Sequence, residues 1–282
     1  KSVKGNSGAE IVPAYVDVLW ESVNTTTAPS AGTVIAPEPH YDEGYIFFTA
    51  TGNKGNAVIA AKDASGDVLW SWHIWVPSSV PGAAAYSNSS TGGMMDRDLG
   101  ALSETPANPF SSGLIYQWGR KDPFPGICGY STANWEIATT GSFVLSATSA
   151  EKGTEDYAIA HPTEYLYCPS SVQGNQDWVY GGNNSHWGAV KTIYDPCPPG
   201  YQVPVNGVWA GLEAAPGTNG FLLDGKHWYA LTGNRWSSDG SLHGANAMGY
   251  WWNATAGTNQ AFYGLYDASK VTFTPAFDNA LA

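Results

Sequence analysis

The sequence predicts a mostly β protein, and three observations carry that prediction. Its 282 residues include 33 Gly and 18 Pro, which punctuate the chain too often for long helices and mark many turns. Aromatic residues are abundant, with 13 Trp, 16 Tyr and 9 Phe, and these suit the pleated, half-buried surface of a sheet. Several short runs alternate with period two, most clearly residues 69–76, where Trp70, Trp72 and Ile74 alternate with Leu69, Ser71, His73 and Trp75.

In chain order, residues 16–21, 44–50, 57–61 and 68–76 read as four strands. The turn between the last two is 62–67, Lys-Asp-Ala-Ser-Gly-Asp, rich in residues that tolerate tight bends. His73 reads as a partly buried strand histidine among tryptophans rather than as a base or ligand. Residues 77–93 are small, polar and rich in Pro and Gly, and they read as a linker between two units, 1–76 and 94–282. Residues 125–190 carry no sharp motif. Within them 139–147 reads as a strand, while His161-Pro162-Thr163 and 175–187 read as loops over the core.

The stretch 192–212 is the most distinctive. Prolines flanking Cys197 hold the backbone extended. Gly200 permits a turn, Tyr201-Gln202-Val203 reads as a short strand, and Pro204 closes it. Asn206 is an N-cap candidate for a brief helix carrying Val208, Trp209 and Leu212 on one face.

Charge excludes several function classes. Only 13% of residues are charged, and 12 basic against 24 acidic residues give a net charge of −12. Nucleic-acid binding needs clustered cations, which are lacking, and attraction to anionic lipid fails for the same reason. No apolar run is long enough for a transmembrane helix. The chain opens on Lys1 without a signal peptide, as a processed or excerpted product does. The cysteines Cys128, Cys168 and Cys197 lack metal-binding spacing. They leave open one disulfide, with Cys168 and Cys197 the favoured pair, or three free thiols.

Cys-Pro-Pro-Gly-Tyr-Gln-Val-Pro-x-x-x-x-Trp-x-x-Leu at 197–212 resembles a signature of the Fibrobacter succinogenes major paralogous domain, a C-type-lectin-like module common on Bacteroidetes surfaces. Met94–Ala101, Gly113–Phe124 and Gly249-Tyr250-Trp251-Trp252 match further landmarks in the same order, so the resemblance spans about 94–282. Residues 16–76 resemble the N-terminal β-sandwich of fimbrillin-family-like surface proteins. Lys1–Ser7 resembles the middle of that module, which implies an upstream strand outside this sequence and a sheet edge open to strand addition. Relatives of the lectin-like module often carry a second cysteine in a final strand, and this sequence stops at Ala282 before one. The resemblance implies an N-terminal β-sandwich-like domain followed by an α+β, C-type-lectin-like domain with long loops, so mostly β / α+β as a whole. It also makes Arg97 and Arg120 framework, pairing with Asp96, Asp98 or Asp122 or stacking on tryptophan, rather than clamps for an anion.

No nucleophile elbow, zinc-protease helix or phosphate-binding glycine loop occurs. Cys128 with His161 matches no thiol-enzyme pattern, and no catalytic residue is expected. The carboxylate and amide clusters of a calcium site are missing, so neither metal nor cofactor is expected. Residues 234–266 combine flat aromatics with short polar side chains, a mixture suited to recognition. Trp236, Tyr250, Trp252 and Tyr263 are the expected anchors, with Asp239, His243, Asn246, Asn253, Asn259 and Gln260 supplying specificity. Trp251, Phe262 and Leu265 read as core. The expected role is therefore non-enzymatic, adhesin-like or pilus-associated binding of a glycan or protein at the bacterial exterior. The alternatives are a retroelement-diversified binding protein on the same fold, and a carbohydrate-active or formylglycine-generating-like enzyme.

Overall fold

The computed structural model describes residues 8, 10–87, 92–128, 136–173, 177–183, 185–205, 207–257, 260–267 and 272–278. It is mostly β, with strands gathered into several small sheets and a single α-helix among the described residues.

The first sheet has three antiparallel strands. Its centre is β4 (Gly55–Lys62), flanked by β1 (Tyr15–Ser22) and β5 (Val68–Val76). Gly-Asn-Ala-Val-Ile-Ala-Ala is buried along its whole length, because small and apolar side chains let other layers close on both faces. The 62–67 turn forms as the sequence predicts, with Asp63 Oδ1 accepting from Ser65 N at 2.8 Å and Asp67 N at 3.0 Å. A hairpin of β2 (His40–Asp42) and β3 (Tyr45–Phe47) replaces the longer strand expected over 44–50. Glu21 fixes the loop before it. This fully buried carboxylate accepts four backbone N–H groups, from Gly32, Thr33, Val34 and Ile35, at 2.7–3.3 Å.

The two faces of β5 explain how the halves of the chain meet. Trp72, Ile74 and Val76 pack on the core of Val16, Val34, Ile35, Ala57 and Ile59. The mixed face turns towards the rest of the protein. Ser71 Oγ donates to Asp122 at 2.6 Å, His73 Nδ1 meets the Tyr116 hydroxyl at 3.0 Å, and Trp75 Nε1 donates to Ala101 O at 2.9 Å. Desolvation lowers the His73 pKa to about 4, as befits a core histidine. Trp20 and Val58 share a core with Leu114, Tyr116, Trp118, Ile137, Trp187 and Val203. The described residues before 77 and after 93 thus share one core and a set of hydrogen bonds.

The described residues of the 77–93 stretch, 77–87 and 92–93, are docked against the protein. Here β6 (Ala83–Ala85) pairs with β7 (Gly93–Met95), Tyr86 is buried, and Ser87 binds Asp224 through both its N–H and its hydroxyl. Beyond it, β8 (Ile115–Tyr116) pairs with β9 (Pro123–Phe124). The parallel pair β10 (Val144–Ala147) and β11 (Glu164–Tyr167) is connected through α1 (Glu155–Ala160), whose N-cap is Thr154. β12 (Ala214–Gly217), β13 (Gly220–Leu223) and β14 (His227–Ala230) form a meander. β15 (Asn234–Arg235) pairs with β16 (Leu242–His243), and β17 (Met248–Gly257), β18 (Gln260–Asp267) and β19 (Thr272–Asp278) form the last antiparallel sheet.

Several expectations change. Residues 201–205 form no strand, and 207–211 are turns rather than a helix, since Gly207 and Gly211 both adopt left-handed φ values of 91° and 72°. Asn206 lies outside the described residues. Val208, Trp209 and Leu212 are nevertheless buried, in a core with Phe221, Leu223, Tyr229 and Tyr266. All three cysteines are free. Cys168 is fully buried beside the 237 backbone, whereas Cys197 packs against the Trp118 core, so the favoured pair sits in two different environments. Cys128 donates to Asn24 O, and His161 stacks on Tyr157, so these two form no pair either. Residues 1–7 lie outside the described residues. The outer edge of β1 is occupied at Glu21, where the 140 backbone N–H and the Thr140 hydroxyl complete two hydrogen bonds.

Candidate functional site

The arginines are framework, as read from the sequence. Arg97 pairs with Asp96 at 2.6 Å and Glu104 at 3.2 Å. Arg120 donates to Gln117 and to the carbonyls of Glu164, Ala158 and His161, and lies over the rings of Phe124 and Trp178. A cleft of about 600 Å³ lies where the 93–99, 113–116, 196–204 and 232–238 segments converge over the β17–β18 pair. That volume falls in the range of about 300–1,000 Å³ typical of ligand sites.

All four expected aromatic anchors line this cleft. Tyr250 and Trp252 are two apart on β17 and so share a face, and Tyr263 lies directly opposite Trp252 on β18. Tyr263 packs 5.5 Å from Tyr250 and 5.9 Å from Trp252, ring centre to ring centre, and is 7% exposed. Trp252 is oriented by its indole N–H, which donates to Tyr116 O at 2.9 Å. Trp236 arrives from the loop after β15 and is 50% exposed. That loop is seated by Gly233, where a Cβ would lie 2.0 Å from His243 O, so only glycine permits the approach to β16.

The expected polar residues divide. Asp239 accepts from Ser241 N–H and Oγ, and these bonds lower its pKa. Ser241 Oγ in turn meets His243 Nε2 at 3.0 Å, and the His243 ring lies 4.4 Å from Trp236. Asp239 and His243 therefore support the Trp236 loop from outside the cleft lining. Asn246 holds a left-handed turn (φ 58°) whose N–H donates to Leu231 O, also outside the lining. Asn253 is a correction. It is 1% exposed, its Oδ1 accepts from Thr255 N, and its carbonyl accepts from Trp118 Nε1, so it is core. Asn259 lies outside the described residues. Gln260 pairs with Gly257 through the β17–β18 register.

The structure adds residues that the sequence reading did not place here. Asp98 lines the cleft, and its Oδ1 accepts from the indole of Trp251 at 2.9 Å. Burial is the dominant effect on it and raises its pKa to about 7, against the lowering effect of the Trp251 bond. Its turn is held from the first sheet: Asn24 and Asn56 amides both donate to Gly100 O, at 3.0 and 2.9 Å. Gly113 completes the seat, since a Cβ there would come within 2.8 Å of the Asp98 Cβ. Trp251, expected as core, packs edge-on to Phe221 and Tyr229 and also reaches the cleft. Cys197 lines the cleft too, but burial drives its thiol pKa far up, so the nucleophilic thiolate is suppressed.

No protein-family model, curated protein or solved structure matches this chain. Among the described residues no three or more His, Cys, Asp or Glu converge as a metal-binding group.

Proposed function

We propose that this protein binds a glycan in the aromatic cleft without chemical turnover, as an adhesin-like protein at the bacterial exterior. The observation that carries the reading is the convergence of Trp236, Tyr250, Trp252 and Tyr263 on one concavity. Flat aromatic rings offer large contact area at low entropic cost and stack on the C–H faces of sugar rings, while Asn234, Ser237 and Gln202 at the same walls supply hydrogen bonds. Glycoside hydrolysis calls for two opposed carboxyl groups, and Asp98 is the one acidic residue among the described residues of this lining, which favours binding over hydrolysis. The resemblance to surface-exposed lectin-like modules points the same way for location and partner class.

A glycan array probed with the purified chain tests the reading. Hits whose affinity falls by about 2 kcal/mol or more in Trp236→Ala or Trp252→Ala support it, as expected of anchor residues. Binding only to proteins, or glycan binding indifferent to both substitutions, overturns it.

A further inference from the structure

We propose that the cleft selects a ligand carrying an alkylammonium group, held between the Asp98 carboxylate and the aromatic rings lining the same cavity. The inference rests on the cleft being the glycan site and narrows its ligand to one bearing an amine.

The charge balance of the lining points to it. Of the two arginines there, Arg97 is matched by Asp96 and Glu104, and Arg235 by Glu136 together with the carbonyls of Gly240 and Pro125. Asp98 has no cationic partner among the described residues. The one hydrogen bond its carboxylate accepts there comes from the neutral indole of Trp251, on Oδ1, so Oδ2 is left for a ligand. Burial disfavours its ionised form, and among the described residues no cation is paired with it to offset that cost. A bound cation supplies the missing counter-charge. Tyr116, Tyr229, Trp251 and Trp252 line the same space, and aromatic faces attract ammonium groups through their quadrupoles. A neutral polyol gains neither effect. The net charge of −12 also favours the approach of a cation over that of an anion.

Titration calorimetry on the full chain at neutral pH tests this with three probes: a glucosamine oligosaccharide, its N-acetylated counterpart, and choline. The glucosamine oligosaccharide is expected to bind about tenfold more tightly than the N-acetylated one. Asp98→Asn, which keeps an acceptor for Trp251, is expected to collapse that ratio to about one. Choline displacing the oligosaccharide identifies the ammonium group itself as the determinant. Choline failing while the glucosamine oligosaccharide binds locates the determinant in an amino sugar, with the carboxylate–ammonium contact intact. Should Asp98→Asn melt early, added salt replaces it, and the wild-type ratio is expected to fall as salt screens the pair. Equal or tighter binding of the N-acetylated form, or a ratio insensitive to Asp98→Asn or to salt, overturns the selectivity. If other glycans still bind, the reading of the cleft survives that outcome. No glycan binding of any kind overturns that reading as well.

Discussion

The indole N–H of Trp251 donates to Asp98 Oδ1 at 2.9 Å, joining a strand near the C-terminal end to a turn 153 residues earlier in the chain. Trp251 is anchored in the Phe221–Tyr229 core, while the Asp98 turn is anchored by Asn24 and Asn56. The bond therefore fixes a carboxyl group at the wall of the cleft from both sides.

The pH dependence of stability follows from that placement. The folded chain holds the Asp98 proton up to about pH 7, whereas an unfolded aspartate releases it near pH 3.9. Between those values the folded state binds more protons, so the stability Asp98 confers below about pH 4 is lost as pH rises to about 7. Among the described residues the groups coupled to it are the Tyr86 and Tyr229 phenols and the Trp251 indole, with His227 hydrogen-bonded to Tyr86, while the neighbouring Arg97 is held by Asp96 and Glu104. Melting curves of wild type and Asp98→Asn should therefore diverge with pH, the variant gaining relative stability towards neutrality. Parallel curves would show that Asp98 titrates normally.

Glu21 carries a purely structural prediction. Removing its carboxylate leaves four buried or part-buried N–H groups without an acceptor, so Glu21→Ala should cost about 3 kcal/mol or more in denaturant unfolding. Glu21→Gln keeps one acceptor oxygen and should cost less.

Two tryptophans should behave oppositely. Trp209 is 4% exposed against Tyr229, and Trp209→Ala should cost about 3–5 kcal/mol of stability. Trp236 is half exposed, and Trp236→Ala should shift stability by no more than about 0.5 kcal/mol. Denaturant midpoints of both variants check the contrast.

A protease nick within 77–93 should leave a single particle. Trp20 and Val58 share a core with Trp118 and Val203, and Ser71, His73 and Trp75 bond across the same interface. The two pieces should co-elute on native size exclusion and part only in denaturant. Separation under native conditions would mean independent units.

Much of this was legible in local pattern. The alternation in 68–76 and the turn at 62–67 are short-range, and both appear as read. The same period of two accounts for part of the site. Tyr250 and Trp252 share a face, but the register shifts between Trp252 and Ala256, and Asn253 and Ala254 are both buried, so alternation alone does not reach past Trp252. α1 has a local signal in Thr154-Glu155-Asp156, an N-cap followed by acidic residues, but at six residues it is too short for a helical period to stand out. The turn at 207–211 shows composition misleading, since apolar spacing suits a helix while two glycines break it. Asp98 was not legible at all. Its setting depends on Trp251, Gly113, Asn24 and Asn56, partners far away in sequence, and only the folded chain assembles them.

The most direct test of the cleft is a saccharide titration followed through the tryptophan indole N–H resonances. Trp236, Trp251 and Trp252 line the cavity, while Trp20 and Trp228 are buried away from it and serve as internal references. Binding in the cleft predicts that the first three resonances shift together and saturate with one affinity, with Trp20 and Trp228 unmoved. Saturable binding that leaves Trp236, Trp251 and Trp252 unshifted would place the ligand elsewhere and contradict the account.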